Sequence, residues 1–181
     1  MPIRTTVAVA FLAASALALG ACGKSGPKSE EQVKAEVAGM VKPRPGRYET
    51  TVKVLNFEIP GMPKEQSERF KGMFAGSGQS NGFCLTKEES EKGYKDFTKK
   101  LAQGNCTYDR FDASGGTLDA RLTCQTGKGM TAVIEMSGKM TEESSDMHMK
   151  MEQTGAGPLA AKGLVKMEME MSSKRVGDCA G

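Results

Sequence analysis

The chain contains no tryptophan and a single histidine, His148, and aromatic residues make up only 6% of it. One imidazole cannot supply both a ligand pair for a metal and a general base, and no Gly-x-Ser-x-Gly elbow presents a serine nucleophile. No two of the 5 cysteines form a Cys-x-x-Cys pair and His148 lies far from all of them, so a zinc site has no ligand spacing to rest on. The 25 basic residues nearly balance 22 acidic ones and form no long block that could track phosphates, which removes nucleic acid as an expected partner. Two glycine motifs are equally empty. Gly23-Lys24-Ser25 ends like a phosphate-binding loop, but Ala18 stands where that loop needs its first glycine. Gly76-Ser77-Gly78 lacks the preceding strand and following helix of a dinucleotide fingerprint. No cofactor is implied, and an enzyme is not expected.

What is present begins with an address. Arg4 precedes the apolar run VAVAFLAASALALGAC, which is too short and too quickly broken to form a stable membrane span and reads as a secretory signal. It ends in Leu19-Gly20-Ala21-Cys22, which resembles the lipobox of bacterial lipoproteins; by that resemblance Cys22 is lipidated and becomes the mature N-terminus. The plain alternative is an ordinary signal cut at a nearby small residue, leaving Cys22 a spare thiol. Each buried acyl carbon contributes about 0.8 kcal/mol, so several chains on one residue make the membrane a lasting partner through this N-terminal anchor. Gly23, rather than aspartate, follows the cysteine, and the sorting rule for such lipoproteins then favours the periplasmic face of the outer membrane.

Setting Cys22 aside leaves Cys84, Cys106, Cys124 and Cys179, an even number in an exported chain, which points to two disulfides with three possible pairings. Residues 1–21 are thus read as the signal peptide, 22–44 as a lipidated tether with a short helix, and 45–181 as a single disulfide-braced domain. The helix of the tether follows from Ser29 as N-cap with Gln32 three residues on, and from Val33, Val37, Met40 and Val41 on one face.

From Arg47 the period changes to two: Tyr48, Thr50, Val52 and Val54 alternate with polar residues as in a half-buried strand. The stretch KEQSERFKGMFAGSGQSNG carries four glycines and reads as loop. A second helix is expected from the capping box of Thr86 and Glu89, with Tyr94, Phe97 and Leu101 on one face and Gly104 as its C-cap. The rest reads as an antiparallel meander. Ser114-Gly115-Gly116 marks a hairpin, Leu118, Ala120, Leu122 and Cys124 share one strand face, Met130, Ala132, Ile134 and Met136 the next, and Ser137-Gly138 breaks that strand. The expected fold is mainly β with minor α: an antiparallel meander rolled into a curved sheet or open barrel, with one or two short helices. Folding the hairpin about Gly115 sets Cys106 opposite Cys124, which leaves Cys84 for Cys179.

The 13 methionines include two period-two stripes, Met147, Met149, Met151 and Met167, Met169, Met171. Folding about Leu159 sets the stripes opposite one another, with six thioethers on one sheet face. Three uses fit this spacing: core filling by flexible side chains, the lining of an apolar ligand cavity, or a Cu(I) site, since soft thioethers select Cu(I). His148 alternates out of phase with the stripe and reads as a surface residue, as do Glu168 and Glu170.

Several short motifs together resemble a bacterial family known only as domain of unknown function number thirty-six seventeen, whose members are small exported proteins, many of them lipoproteins. They are Pro45-Gly46-Arg47-Tyr48-Glu49, where the family often has tryptophan in place of Tyr48; Cys84-Leu85-Thr86; Cys106, Ser-Gly-Gly and Cys124; the methionine-rich strand pair; and Arg175-Val176-Gly177-Asp178-Cys179. The resemblance implies no catalytic residue. The expected function is that of a non-catalytic envelope module that binds a ligand or a partner, the alternative being a lipoprotein that binds Cu(I) or an apolar ligand through its methionines.

Overall fold

A computed structural model describes residues 26–76, 81–94, 99, 105–125, 129–154 and 164–180. Helix α1 (Glu30–Ala38) is followed by strand β1 (Gly46–Glu58), helix α2 (Lys64–Gly76), strand β2 (Asn81–Leu85), helix α3 (Lys87–Lys92) and strands β3 (Cys106–Asp112), β4 (Thr117–Gln125), β5 (Thr131–Met140), β6 (Ser144–Thr154) and β7 (Val165–Gly177). The strands form one antiparallel sheet in the order β2-β1-β7-β6-β5-β4-β3, so β2 and β3 are its edges and the sheet is open. From β3 to β7 it is the meander that the turn spacing predicts, and β1 closes against the last strand. Among the described residues no helix is long and apolar enough to cross a membrane.

The β3–β4 hairpin explains how two cysteines meet. Gly115 and Gly116 both have positive φ, 60° and 76°, and Thr117 N–H donates to the Ser114 carbonyl at 2.9 Å. This is the two-residue turn with both central residues left-handed that suits the twist of a hairpin. Its centre lies between the two glycines, pairing Asp112 with Asp119 and Arg110 with Arg121. Continued unchanged, that register would set Cys106 opposite Gln125. A bulge between Tyr108 and Arg110 inserts Asp109 as an extra residue, and beyond it Tyr108 faces Leu122 and Cys106 faces Cys124. Gln125 N–H bonds the Asn105 carbonyl at 3.2 Å, so the neighbouring Cys106/Cys124 pair is of the non-hydrogen-bonded, closely spaced kind. The two lie at disulfide distance with Cα atoms 3.9 Å apart, and so do Cys84 and Cys179 with Cα atoms 5.6 Å apart.

The bulge also lets Tyr108 and Phe111, an odd number of residues apart, both turn inward. They join Leu118, Ala120, Leu122, Cys124, Met136 and Met140 in a core that α1 covers with Val33 and Val37. The α1 capping box of Ser29 and Gln32 is formed as its sequence implies. Glu36 then ties the helix to the sheet, pairing with Lys28 and accepting the Ala113 N–H at 3.0 Å.

Three segments depart from the sequence reading. Lys64–Gly76 is a helix rather than a loop, and with α3 it gives two helices among the described residues of 45–181. Phe70 on it packs on Phe57 of β1 with ring centroids 6.1 Å apart, a tertiary contact that offsets part of the roughly 1 kcal/mol cost of each glycine. Strand β5 continues through Ser137 and Gly138 to Met140 instead of breaking. A Cβ on Gly138 would collide with Met147 Sδ and the Asp146 carbonyl, so here glycine marks the close approach of β6 and not a strand end. Helix α3 starts at its Thr86 capping box but stops at Gly93, whose φ of 55° suits glycine. Phe97, Leu101 and Gly104 lie outside the described residues.

Candidate functional site

At the start of β1 the short motifs of the two chain ends lock into one another. Arg175 Nε donates to the Pro45 carbonyl at 2.8 Å while its other nitrogen pairs with Asp178. A Cβ on Gly46, whose φ is 147°, would collide with the Arg175 guanidinium and the Gly177 carbonyl, which explains the glycine after Pro45. Ser90, buried at the base of α3, donates to the Pro43 carbonyl at 2.5 Å. Tyr48 stacks on Phe83 at 5.5 Å, and its hydroxyl lies 2.7 Å from the Arg44 carbonyl and 3.0 Å from that of Glu142. A tyrosine here does what an indole N–H would do, presenting a ring to pack and one proton to a carbonyl. Just beyond this knot the Cys84/Cys179 pair joins β2 to the end of β7 across β1. These residues build a frame, and none of them presents a reactive group.

The methionine stripes pair as their spacing predicts: Met147 with Met171, Met149 with Met169, and Met151 with Met167. Their rows extend over four strands. Met136, Met149, Met169 and Val54 form one row; Gly138, Met147, Met171 and Val52 the next; Ile134, Met151, Met167 and Phe57 the third. The glycine is an empty place in the second row, which leaves room for the Met147 sulfur. The stripe is neither all core nor all surface. Met136 and Met140 are buried, Met147 and Met149 are half-buried against the core, Met151, Met167 and Met169 are half-buried, and Met171 is 38% exposed.

Where this face meets the end of α1, a cleft of about 190 Å³ opens. Six of its wall residues are methionines, namely Met40, Met136, Met140, Met147, Met149 and Met171, and Phe111 and Leu118 complete the floor. Among the described residues, the hydroxyls on this wall belong to Tyr94 and Ser145. A second hollow of about 290 Å³ adjoins it and shares Tyr94, Ser145 and Met171. Its remaining wall is mixed, carrying the hydroxyls of Thr50, Thr141, Ser144 and Ser173 beside apolar Pro43, Phe83 and Leu85. Burial raises the Tyr94 hydroxyl above its ordinary pKa of 10.0, with the neighbouring Tyr48 adding to the shift, so the group stays a neutral donor. Burial raises Tyr48 likewise, partly offset by Arg175.

Period-two alternation places Met136 and the two stripes on this face; helical spacing expects Met40 on the covering helix, whereas α1 ends at Ala38 and Met40 follows its Gly39 cap. Met140 and Ser145 become legible only from the register of β5 against β6, and the rim position of Tyr94 only from the way the chain after α3 folds back on the sheet. His148 sits on the outer face as expected, but paired: its Nε2 lies 2.8 Å from Glu168, whose same oxygen is 3.6 Å from Lys150 Nζ. Cys22 lies outside the described residues. Among the described residues no three of His, Cys, Asp and Glu come together as a metal-binding group.

An open, disulfide-braced antiparallel sheet with a methionine-lined cleft under its helix is the class that the fold and site define. The model of the family described as protein of unknown function DUF3617 matches residues 43–179, more than half of the chain, and the chain belongs to that family. No curated protein and no solved structure matches it.

Proposed function

We propose that this protein is a non-catalytic lipoprotein of the bacterial envelope, anchored through Cys22 on the periplasmic side of the outer membrane, whose methionine cleft holds the apolar part of a small ligand. The observation that carries the reading is the cleft itself: six thioethers, one from the turn just after α1 and the others from β5, β6 and β7, meet around one open hollow instead of filling it. Cores close at crystal-like density, so an apolar hollow reaching the surface marks a place where something else completes the packing. Methionine suits such a wall because its unbranched, polarizable side chain reshapes around different occupants. Ligand sites for drug-sized molecules run to about 300–1,000 Å³. The smaller cleft fits one alkyl chain end better than a fused-ring ligand. The lipobox and the even cysteine count support the envelope part of the reading.

A second reading has its own observation. The row Met136, Met149, Met169 sets three thioethers side by side on adjacent strands, a set that a Cu(I) ion accepts. Native mass spectrometry of the full chain carrying Cys22→Ser separates the two. The expected result is a 1:1 adduct with decanol that Met171→Glu abolishes, with no adduct from equimolar Ag(I) as a Cu(I) surrogate. A tight Ag(I) adduct with no decanol adduct overturns the apolar reading in favour of the metal. Localisation is tested on the unmodified chain by metabolic labelling with an alkyne fatty acid. Label in the membrane fraction that Cys22→Ser removes is expected, and an unlabelled chain would overturn the anchor.

A further inference from the structure

The geometry points to a particular class of ligand: a single-chain amphiphile with an uncharged, hydroxyl-bearing head, its chain in the methionine cleft and its head in the adjoining hollow. This rests on the reading of the cleft as an apolar ligand site and adds what the second hollow selects. The two hollows share Tyr94, Ser145 and Met171, so one molecule passing that neck touches both. On the chain side the wall beyond the neck is thioether and hydrocarbon. On the head side Pro43, Phe83 and Leu85 keep part of the wall apolar, and two pairs of hydroxyls are added to it. Thr50 donates to Ser173 at 3.0 Å, and Thr141 and Ser144 lie 2.9 Å apart. In the first pair the Ser173 proton remains to be donated outward. In the second, Thr141 Oγ1 already accepts the Glu143 and Ser144 N–H groups, and the Ser144 hydroxyl is the one placed to reach a ligand. At the neck, Tyr94 and Ser145 line both hollows, and no hydrogen bond joins either hydroxyl to another described residue.

Charge decides the class of head. Among the described wall residues of both hollows there is no lysine, arginine or histidine. A carboxylate or phosphate entering here would leave water for a wall with no cation to meet it, a cost that hydroxyl donors alone do not offset. The one wall carboxylate, Glu89, is committed elsewhere, accepting the backbone N–H and the hydroxyl of Thr86 at 2.9 Å each. A neutral hydroxyl-bearing head instead exchanges hydrogen bonds to water for hydrogen bonds to the wall hydroxyls and keeps its desolvation cost low.

Isothermal titration calorimetry on the full chain carrying Cys22→Ser, so that no acyl group of its own competes, tests this with three probes of equal chain length below their aggregation limits. Monodecanoylglycerol is expected to bind at least tenfold more tightly than decanoate and about tenfold more tightly than decanol. The double variant Tyr94→Phe, Ser145→Ala is expected to lower the monodecanoylglycerol affinity to that of decanol while leaving decanol unchanged. Decanoate binding as well as monodecanoylglycerol, or a double variant with undiminished preference, overturns the head assignment and leaves the chain cleft standing. Failure of all three probes to bind the folded chain overturns both.

Discussion

Removing the Cys84/Cys179 bridge by changing both residues to alanine should cost more stability than any other change of comparable size. The bridge spans 95 residues, and loop-closure entropy for that length corresponds to about 4.7 kcal/mol. The inner bridge lies wholly within the outer loop and spans 18 residues, shortening the path that the unfolded chain must close. With that correction the expected loss is about 4.5 kcal/mol. Little is added by the side chains themselves, because Cys84 is exposed and Cys179 half-buried. At a urea dependence of about 2 kcal/mol per molar, the midpoint should fall by about 2 M. Amide exchange should localise the loss. Edge strand β2 is held by β1 and by this bridge, so protection should drop first across Asn81–Leu85 and the end of β7, while β4 and β5 keep theirs. A loss below about 1 kcal/mol, or exchange rising equally in β4, would refute the reasoning.

Deleting Asp109 removes the bulge and should shift Cys106 opposite Gln125. In a chain carrying Cys22→Ser, thiol titration of the unreduced, denatured variant should find two free cysteines, and finding none would contradict the register argument. All three tyrosines, Tyr48, Tyr94 and Tyr108, are held above 10.0 chiefly by burial. Raised folded values mean that their contribution is present below pH 10 and lost as pH climbs through them. Phenolate absorbance should therefore stay low until the fold melts in alkali, and a tyrosine ionising at its ordinary value in the native chain would contradict this. Gly138→Ala forces Met147 and β6 aside, and should cost about 1–3 kcal/mol as a lowered melting temperature; an unchanged one would show that the approach is not tight.

What was legible in the residues was whatever repeats at short range. Alternation of Leu118, Ala120, Leu122 and Cys124 places the buried face of β4, since a strand buried on one side must repeat every two residues. The Gly-Gly turn fixes the hairpin, and the stripes from Met147 to Met171 fix the register of β6 on β7. The cysteine pairing by symmetry about Gly115 reaches the right partners through an offset it does not contain. The true centre lies half a residue further on, and Asp109 compensates. Bulges of this kind leave no periodic trace, because a single extra residue looks like ordinary strand. Helix α2 was hidden by its glycines, and the contact that stabilises it, Phe70 on Phe57, joins distant positions. The cleft was half visible. Its methionines could be placed on faces, but whether they close over one another or leave a hollow depends on the gap at Gly138 and on Tyr94 at the rim.

The most direct test of the ligand cleft is a methyl NMR titration of the full Cys22→Ser chain with ¹³C-methyl methionine, using monodecanoylglycerol as the probe. The account predicts saturable shifts of Met40, Met136, Met140, Met147, Met149 and Met171, with Met62 and Met73, which lie away from the cleft, unmoved. Shifts spread evenly over all methionines, or none at saturating probe, would contradict it and return the stripe to the ordinary filling of a sheet.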